Sequence, residues 1–387
     1  MTNTRLAELG REEPPLLALA QRLLAVAESG LPSMLLPGGE AFVFTMAGHR
    51  APDGSWALEQ RGTSTRYAAI TALGVRFLPE ERQRAVLAGR TAQEFTGLLV
   101  ESLPAVTNLG DAALIAWAAA ETGHPKLSDA VERVEALDED GRPQYTVEAA
   151  WVLSALAAAR DTVDVERRFT VVRDRLLRAR IGDSPLFPHA TGPGLLPWYR
   201  AHVSCFADQT YPLQALARAH ASDDQGGDPE ALAAADACAA RICELQGDGG
   251  QWWWHYDART GGVVEGYPVY SVHQHAMAPT ALFDLTDAGG TDFGAAIRKG
   301  LGWMTEVPEL AADPEPLIHD DLGVTWRKVH RGDPKKAVRA VRGLGTRVSP
   351  SLRLKSLDRV YRPLSVDREC RPYEFGWMLH AWQGGAI

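Results

Sequence analysis

Carboxylates and histidines lie at points where apolar helical segments begin. Asp208 and Glu148 each lie near the start of such a segment, and His273 and His275 open a third. A buried carboxylic acid can stay protonated and donate a proton, and a histidine can act as an acid or a base near neutral pH. We therefore expect these four residues to be the candidates for acid–base chemistry.

Each of these residues also has a structural interpretation. Asp208 and Glu148 could stabilise the N-termini of their own helices, where acidic side chains are favourable. His273 and His275 are two residues apart and diverge by about 200° on a helix of ~3.6 residues per turn. Only one of them is therefore expected to face a pocket, and a hydrogen-bonded core histidine is the alternative.

Aromatic residues form the second group of candidates. Trp252, Trp253 and Trp254 are followed by His255, and three consecutive tryptophans cannot all point into the core from one regular element. At least one is expected to face a groove, where aromatic rings stabilise cations or stack on sugar rings, although plain packing is the alternative. Further substrate-binding candidates near helix starts are Tyr67, Tyr211, Arg371, Tyr373 and Glu374.

Two kinds of helical segment alternate along the chain and would position these residues. In both, apolar residues recur at three- and four-residue spacing. The amphipathic segments, each with one charged face, are 15–29, 80–103, 125–137, 164–180, 229–246 and 293–306. The segments that are apolar on nearly every side, and must therefore be buried, are 63–74, 108–121, 144–159, 207–220, 273–285 and 372–382.

This alternation predicts an all-α fold with six inner and six outer helices, an (α/α)6 barrel or α/α toroid, in a single domain over residues 1–387. Because each inner helix returns through an outer helix, the inner helices run parallel and begin at one end of the barrel. We expect one pocket at that end, where helix N-termini favour anions. A helical bundle or solenoid without a single pocket is the alternative.

One segment interrupts the alternation. Residues 307–371 form an insertion before the last inner helix, and residues 326–371 contain 14 Lys and Arg against four Asp and Glu. So basic a segment in an acidic protein is either a solvated arm or a clamp for an anionic substrate.

Composition excludes several classes of protein. The net charge of −9 argues against nonspecific nucleic-acid binding, which needs a basic face. No apolar stretch reaches the ~20 residues of a transmembrane helix, and the N-terminus does not read as a signal peptide. The four cysteines form no C-x-x-C pair, which is typical of a reduced cytoplasmic protein; they are Cys205, Cys238, Cys243 and Cys370. The expected partner is a small-molecule substrate.

Two turns carry a resemblance to a known superfamily. Residues 246–252 read QGDGGQW and fit the pattern Q-x-x-x-G-x-W. Residues 49–56 read HRAPDGSW and are expected to lead into the first inner helix. In these turns the chain resembles the terpenoid cyclase and protein prenyltransferase superfamily, of the squalene–hopene cyclase type, whose QW motifs have this form. The resemblance implies an α/α toroid. D-G-[SG]-W turns also occur in sugar-acting α/α barrels.

The resemblance extends to the start of the fourth inner helix. Class II terpenoid cyclases begin one helix with D-x-D-D-T, and the middle Asp is the general acid. Asp208 and Thr210 match the middle Asp and the Thr, whereas Phe206 and Gln209 replace the other two acids. The resemblance therefore implies that Asp208 is the proton donor, in a degenerate motif.

Three functions are open from the sequence. The first is a terpenoid-cyclase-like enzyme that acts on a prenyl-type substrate, with or without a diphosphate, by protonation from Asp208 and cyclisation. The second is a carbohydrate-active (α/α)6 lyase, hydrolase or epimerase on an acidic sugar. The third is a non-catalytic ligand-binding toroid. A pocket lined by Phe, Trp, Leu and Met would favour the first, and polar side chains with facing carboxylates would favour the second.

No cofactor is predicted, and no residue is assigned as a metal ligand. Protein prenyltransferase β subunits bind zinc through Asp, Cys and His, so the resemblance points to Cys205, Asp208 and His255 or His275 as residues to consider for zinc. The D-x-C spacing of those proteins is absent, and no D-D-x-x-D motif for magnesium occurs.

Overall fold

The computed structural model describes residues 4–223, 226–352, 354 and 356–385. The α-helices of these residues are, in chain order, α1 (Thr4–Glu12), α2 (Pro14–Met34), α3 (Thr65–Val75), α4 (Glu80–Val86), α5 (Ala92–Ser102), α6 (Leu109–Glu121), α7 (Leu127–Leu137), α8 (Thr146–Ala159), α9 (Glu166–Ala179), α10 (Ala207–Ala221), α11 (Pro229–Glu244), α12 (Ala278–Asp287), α13 (Gly294–Gly302), α14 (Ala337–Val348), α15 (Ser356–Val360) and α16 (Pro372–Gln383). A π-helical turn, His273–Met277, leads directly into α12.

Six of these helices form a closed inner ring. They are α3, α6, α8, α10, α12 with its π turn, and α16; each packs against the next, and α16 packs against α3. The helices α2, α5, α7, α9, α11 and α13 alternate with them along the chain and pack outside the ring. The predicted (α/α)6 toroid is confirmed, because helices that are apolar on every side can be buried only inside a second layer.

Two glycines allow the ring to close. A Cβ on Gly74 of α3 would lie 2.0 Å from the carbonyl oxygen of Gly376 in α16. A Cβ on Gly376 would lie 2.6 Å from the carbonyl oxygen of Ile70. The backbones of the first and last inner helices therefore touch, and no larger residue fits at either position.

Aromatic rings fill the axis of the barrel. The centroid of the Trp377 ring lies 5.7 Å from that of Trp117 and 5.9 Å from that of Tyr211. The indole Nε1 of Trp377 also donates to the hydroxyl of Tyr211 at 2.9 Å. Because the axis is packed at this level, Tyr211, a predicted substrate-binding residue, is part of the core.

Short antiparallel strands cover one end of the barrel. In chain order they are β1 (Thr45–Arg50), β2 (Trp56–Arg61), β3 (Val203–Cys205), β4 (His255–Asp257), β5 (Gly262–Glu265), β6 (Val269–Tyr270), β7 (Ile318–His319), β8 (Val324–Thr325), β9 (Lys328–His330), β10 (Ser365–Asp367) and β11 (Glu369–Cys370). They form the sheets β11-β1-β2, β10-β9-β6, β3-β4-β5 and β7-β8. Every one of these strands lies in a connection that leads into an inner helix, so the sheets gather where the inner helices begin.

The structure differs from the sequence prediction in three places. The predicted helix 80–103 is two helices, because Ala88 and Gly89 take positive φ angles of 50° and 87° and Thr91 caps α5 in a capping box with Glu94. Residues 49–56 do not lead directly into the first inner helix, since they contain the tip of the β1–β2 hairpin. The strands and α1 were also not predicted, because strands of two to six residues show little periodicity.

The basic insertion is folded and packed against the rest of the barrel. Strand β11 pairs with β1, and β9 pairs with β6, which precedes the π turn. Helices α14 and α15 lie within the same segment. The described residues of 307–371 are thus a folded part of the barrel, and the clamp for an anionic substrate stays a prediction.

No helix of the described residues is both long and apolar enough to cross a membrane. All four cysteines are free thiols. The cytoplasmic location stays a prediction.

Candidate functional site

A polar network joins the starts of the first three inner helices. Arg66 on α3 lies 2.8 Å from a carboxylate oxygen of Asp111 on α6 and 3.9 Å from one of Glu148 on α8. The amide of Asn108 donates to Glu148 at 3.0 Å, and its oxygen accepts from Arg66 at 2.9 Å. These contacts confirm that helix starts meet at one end, and they place Glu148 in a fixed ion-pair network.

Asp208 at the start of α10 is held by a histidine. Nδ1 of His189 lies 3.0 Å and 2.8 Å from the two carboxylate oxygens of Asp208, and the amide of Cys205 donates to Oδ2 at 2.6 Å. Asp208 is fully buried, whereas His189 is 28% exposed. Burial lowers the pKa of His189, but Asp208 outweighs burial and the net pKa is raised. The pair can therefore hold a proton that substrate reaches through the imidazole.

His189 was missed in the sequence analysis. It lies in the connection between α9 and β3, 19 residues before Asp208, where no helical periodicity marks it. Loop residues of this kind carry no pattern that predicts their direction. A proline, Pro188, precedes it, and this marks a turn rather than a site.

The two predicted histidines of the fifth inner helix are buried. His273 packs against Phe206 and Trp254 with ring centroids 4.5 Å and 5.8 Å away, and His275 lies deeper with neither ring nitrogen hydrogen-bonded. Burial lowers the pKa of each to about 3, and Arg327 adds to this effect at His273. Both are therefore neutral at physiological pH, and His273 lies at the same end of the barrel as Asp208.

The π turn that contains these two histidines has a local cause. Pro279 has no N–H and cannot donate to the carbonyl of His275 four residues earlier. The indole Nε1 of Trp382 on α16 donates to that oxygen instead, at 2.7 Å. The carbonyl oxygen that Pro279 leaves without a helical donor therefore gains a hydrogen bond from the neighbouring inner helix.

The start of α16 brings basic and aromatic groups together. Arg371 donates to the hydroxyl of Tyr67 at 2.9 Å and to Glu369 at 3.0 Å. The rings of Tyr67 and Tyr373 lie 4.6 Å apart. Three of the predicted binding residues, Tyr67, Arg371 and Tyr373, are therefore in one cluster.

Glu374 is a buried acid beside an arginine. It is fully buried, neither carboxylate oxygen has a hydrogen-bond partner, and its Oε1 lies 3.5 Å from Nε of Arg327. Burial raises the pKa of Glu374 to about 8, although Arg327 and Arg371 act in the opposite direction. At neutral pH this side chain is mostly protonated.

A cavity of about 670 Å³ lies over this end of the barrel. Its aromatic walls are Trp254, Tyr267 and Tyr270. Seven of its lining residues are Lys or Arg, all of them from the insertion, and four are acidic; they are Arg327, Lys328, Arg331, Lys335, Lys336, Arg339 and Arg371 against Glu265, Asp333, Asp367 and Glu369. The cavity therefore attracts anions.

Ion pairs fix part of this basic wall. Arg331 lies 3.1 Å from Glu265, and Lys328 pairs with Asp367. The guanidinium of Arg327 lies 4.7 Å from the centroid of the Tyr270 ring. Burial lowers the pKa of Arg327, but Tyr373, Tyr270 and Glu374 outweigh burial, so its pKa is raised and it stays charged.

Of the tryptophan run, only Trp254 lines the large cavity. Trp252 is fully buried, and the indole Nε1 of Trp253 donates to the carbonyl of Leu245 at 2.8 Å while its ring packs against Tyr267. The expectation that at least one faces a groove agrees with this arrangement. Trp252 and Trp253 are packed residues, because the turn before them folds back onto the next outer helix.

The turn before Trp252 packs against the next outer helix. Gln246 donates to the carbonyls of Gly250 and Ala296 at 3.1 Å and 3.0 Å. Gly250 has a φ of 93°, and a Cβ there would lie 2.1 Å from the carbonyl oxygen of Lys299. These contacts join α11 to α13, so they explain architecture and do not indicate terpenoid chemistry.

One group of the described residues could hold a metal ion. The ligand atoms of His189, Cys205 and Asp208 all lie within 4.8 Å of one another. Sulfur, nitrogen and oxygen ligands of this kind suit zinc. The sequence analysis considered His255 or His275 as the histidine of such a site, and His275 lies in the core. The histidine that lies beside Cys205 and Asp208 is His189. The prediction that no cofactor is needed stays a prediction.

Comparison with known proteins gives structural neighbours. No family model and no curated protein matches the chain. An unsaturated glucuronyl hydrolase specific for heparin is 12% identical with a TM-score of 0.55, over 94% of this chain and 95% of the other. A possible GH105 family member from Klebsiella pneumoniae is 10% identical with a TM-score of 0.54, over 96% and 92%. An unsaturated glucuronyl hydrolase from Streptococcus agalactiae is 10% identical with a TM-score of 0.52, over 95% and 90%.

These neighbours match almost the whole of both chains. At such low identity they show a shared architecture. The chain therefore has the (α/α)6 toroid fold of these glucuronyl hydrolases.

Proposed function

We propose that the chain is a hydrolase that acts on acidic sugars. The observation that carries the proposal is the net-positive, aromatic-walled cavity over the starts of the inner helices. Guanidinium and ammonium groups bind sugar carboxylates through charge-assisted hydrogen bonds, and Trp254 and Tyr270 offer faces on which a sugar ring can stack. The glucuronyl hydrolases among the structural neighbours support this choice, since glucuronate is an acidic sugar.

The same cavity argues against the terpenoid hypothesis. Among its described lining residues there is no Phe, Leu or Met, and eleven of the seventeen are Arg, Lys, Asp or Glu. An apolar polyene would desolvate these charges without replacing their hydrogen bonds, which is unfavourable. The carbohydrate alternative of the sequence analysis is therefore the better supported one.

The proposed acid–base group is the pair of His189 and Asp208. Asp208 orients the imidazole and favours its protonated form, so His189 can donate a proton to the oxygen that leaves the sugar. Glu148, at the start of α8, acts electrostatically on His189 and is the proposed second carboxylate. It would take a proton from the attacking water, so that one water is added across the broken bond.

This pair favours an enzyme over a passive binding protein. A partly exposed histidine with a raised pKa, fixed by a fully buried carboxylate, is typical of functional sites. Besides burial, Arg339 and His189 both lower the pKa of His255, and Arg339 lines the cavity. Neither His189 nor Asp208 lines the cavity, so the link between the pair and the basic wall is the electrostatic effect that His189 and Arg339 both have on His255.

A substrate screen tests the proposal. Purified protein is incubated with uronate-containing oligosaccharides, with neutral oligosaccharides of the same linkage and with prenyl diphosphates, and products are identified by mass spectrometry. We expect water-dependent cleavage of the uronates, loss of that activity in Asp208→Asn, and native circular dichroism for the variant. Turnover of prenyl diphosphates, or full activity of Asp208→Asn, would contradict the proposal.

A further inference from the structure

A second, smaller cavity of about 200 Å³ adjoins the large one at the start of α14. Lys335, Lys336 and Arg339 line both cavities and thus form the wall between them. Tyr199, Arg200 and His255 are the other polar residues of the lining. Every charged residue of this lining is basic, since among the described residues no carboxylate contributes to it.

The cations of the smaller cavity differ from those of the large one. Arg327, Lys328, Arg331 and Arg371 of the large cavity each lie within 4 Å of a carboxylate oxygen, which for Arg327 is Oδ2 of Asp367. In the described part of the chain, none of the four cations around the smaller cavity makes such an ion pair; they are Arg200, Lys335, Lys336 and Arg339. Uncompensated positive charge at one small cavity favours an anionic ligand.

Asp333, the nearest acidic residue in sequence, acts electrostatically on Arg339 but forms no ion pair with it. It lines the large cavity, and its Oδ2 accepts a hydrogen bond from the backbone amide of Val338 at 2.9 Å. This contact uses one of the first amides of α14. The attraction for an anion at the smaller cavity therefore comes mainly from the side chains.

His255 supplies an independent observation. It is only 6% exposed, it lines the smaller cavity, and its Nδ1 is buried without a hydrogen-bond partner. Burial lowers the pKa of His255 far below its usual value, and Arg339 and Arg200 lower it further. A buried polar atom without a partner is costly, and this one belongs to a side chain that borders the cavity.

We propose that the smaller cavity is a subsite for a tetrahedral oxyanion, a sulfate or phosphate ester carried by the acidic sugar. The large cavity takes the sugar ring and its carboxylate, and the wall of Lys335, Lys336 and Arg339 serves both anionic groups. Assignment of the sugar rests on the proposed function, whereas assignment of the oxyanion rests on the cations and His255. A tetrahedral oxyanion presents several acceptor oxygens, so it can satisfy diverging donors at once.

Binding of inorganic anions tests the subsite without any substrate. Isothermal titration calorimetry is carried out on the full chain with sulfate, phosphate and acetate at constant ionic strength. We expect sulfate or phosphate to bind more tightly than acetate, and the double variant Lys336→Gln/Arg339→Gln to lose at least tenfold in affinity. The matched control is Arg359→Gln/Arg362→Gln, which removes two exposed charges from the same insertion and should change affinity by less than twofold.

His255→Asn gives a second readout at the same place. It should weaken sulfate binding with unchanged net charge, and thermal melting shows whether the variant is folded. If the double variants at Lys336/Arg339 and at Arg359/Arg362 weaken sulfate binding equally, the loss reflects net charge alone, and the subsite is contradicted. Absence of sulfate and phosphate binding, or acetate binding as tight as sulfate, contradicts it too.

Kinetics separate this inference from the proposed function. A uronate disaccharide is compared with its sulfated and phosphorylated esters, and Arg200→Gln should raise KM at least tenfold more for the preferred ester than for the ester-free sugar. The preferred ester identifies the oxyanion.

Uronate turnover with no ester preference, and no oxyanion binding, would overturn the subsite and leave the proposed function intact. Charge-selective oxyanion binding without any uronate turnover would support the subsite and contradict the proposed function.

Discussion

Nδ1 of His189 and the carboxylate of Asp208 form one unit, with both oxygens of the acid within 3.0 Å of the nitrogen. Asp208 begins an inner helix, whereas His189 comes from the loop before it. A fully buried acid and a partly exposed imidazole are thus hydrogen-bonded where the inner helices begin. The pKa of His189 should therefore depend on Asp208.

Asp208→Asn should lower the pKa of His189. Asp208 is the main group that raises this pKa against burial, so its removal leaves burial and Arg200, which both favour the neutral imidazole. Nuclear magnetic resonance titration of the imidazole measures the change. In the control Glu148→Gln the pKa should fall less, because Glu148 has the smallest of the five effects on His189. An unchanged pKa in Asp208→Asn would show that the pair is not coupled.

Glu374→Gln should flatten the dependence of stability on pH. The pKa of Glu374 is raised from 4.5 to about 8, so between these values the folded protein holds a proton that the unfolded chain has lost. The free energy of unfolding is therefore highest below about pH 4.5 and falls as pH rises towards 8, with a slope of at most ~1.4 kcal/mol per unit from this group.

Urea denaturation of both proteins at pH 5 and at pH 8 measures this effect. The wild type should lose more stability between the two values than Glu374→Gln does. His189, whose pKa is also raised, contributes in the same direction to both proteins and cancels from the difference. Equal losses would mean that Glu374 ionises normally in the folded state.

Gly74→Ala should destabilise the barrel at the point where the ring closes. The added methyl would lie 2.0 Å from the carbonyl oxygen of Gly376, and two helix backbones must separate to admit it. Overpacking of this kind costs about 1–3 kcal/mol or more. Gly302→Ala is the control, because nothing lies within 4 Å of a Cβ there, and it should change stability by less than about 1 kcal/mol. Similar melting temperatures for both variants would rule out the close contact.

Trp252→Ala should cost about 3–5 kcal/mol of stability, the range for a buried tryptophan. Its ring is fully buried beneath the turn that follows α11 and packs against α13. Trp198, which is 70% exposed, is the control, and its replacement by Ala should have an effect within about 0.5 kcal/mol. Chemical denaturation monitored by circular dichroism measures both. A small effect at Trp252 would mean that the turn is held by its hydrogen bonds alone.

The sequence by itself determined the architecture and the end of the barrel at which the candidate residues lie. Segments such as 108–121 and 144–159 are apolar on every side, and helices of that kind can be buried only in an inner layer. The alternation with amphipathic segments then fixes six parallel inner helices, so Asp208, Glu148 and Tyr67 had to begin at the same end.

Only the tertiary structure decided which groups meet there. His189 and Arg327 lie in connections, where no periodicity relates a side chain's direction to its position in the sequence. Trp252 and Trp254 are two residues apart, yet one is in the core and the other lines the cavity, because the turn between α11 and β4 is irregular. Helical periodicity is a local property that the sequence records, whereas contacts between distant loops depend on the packing of the whole barrel.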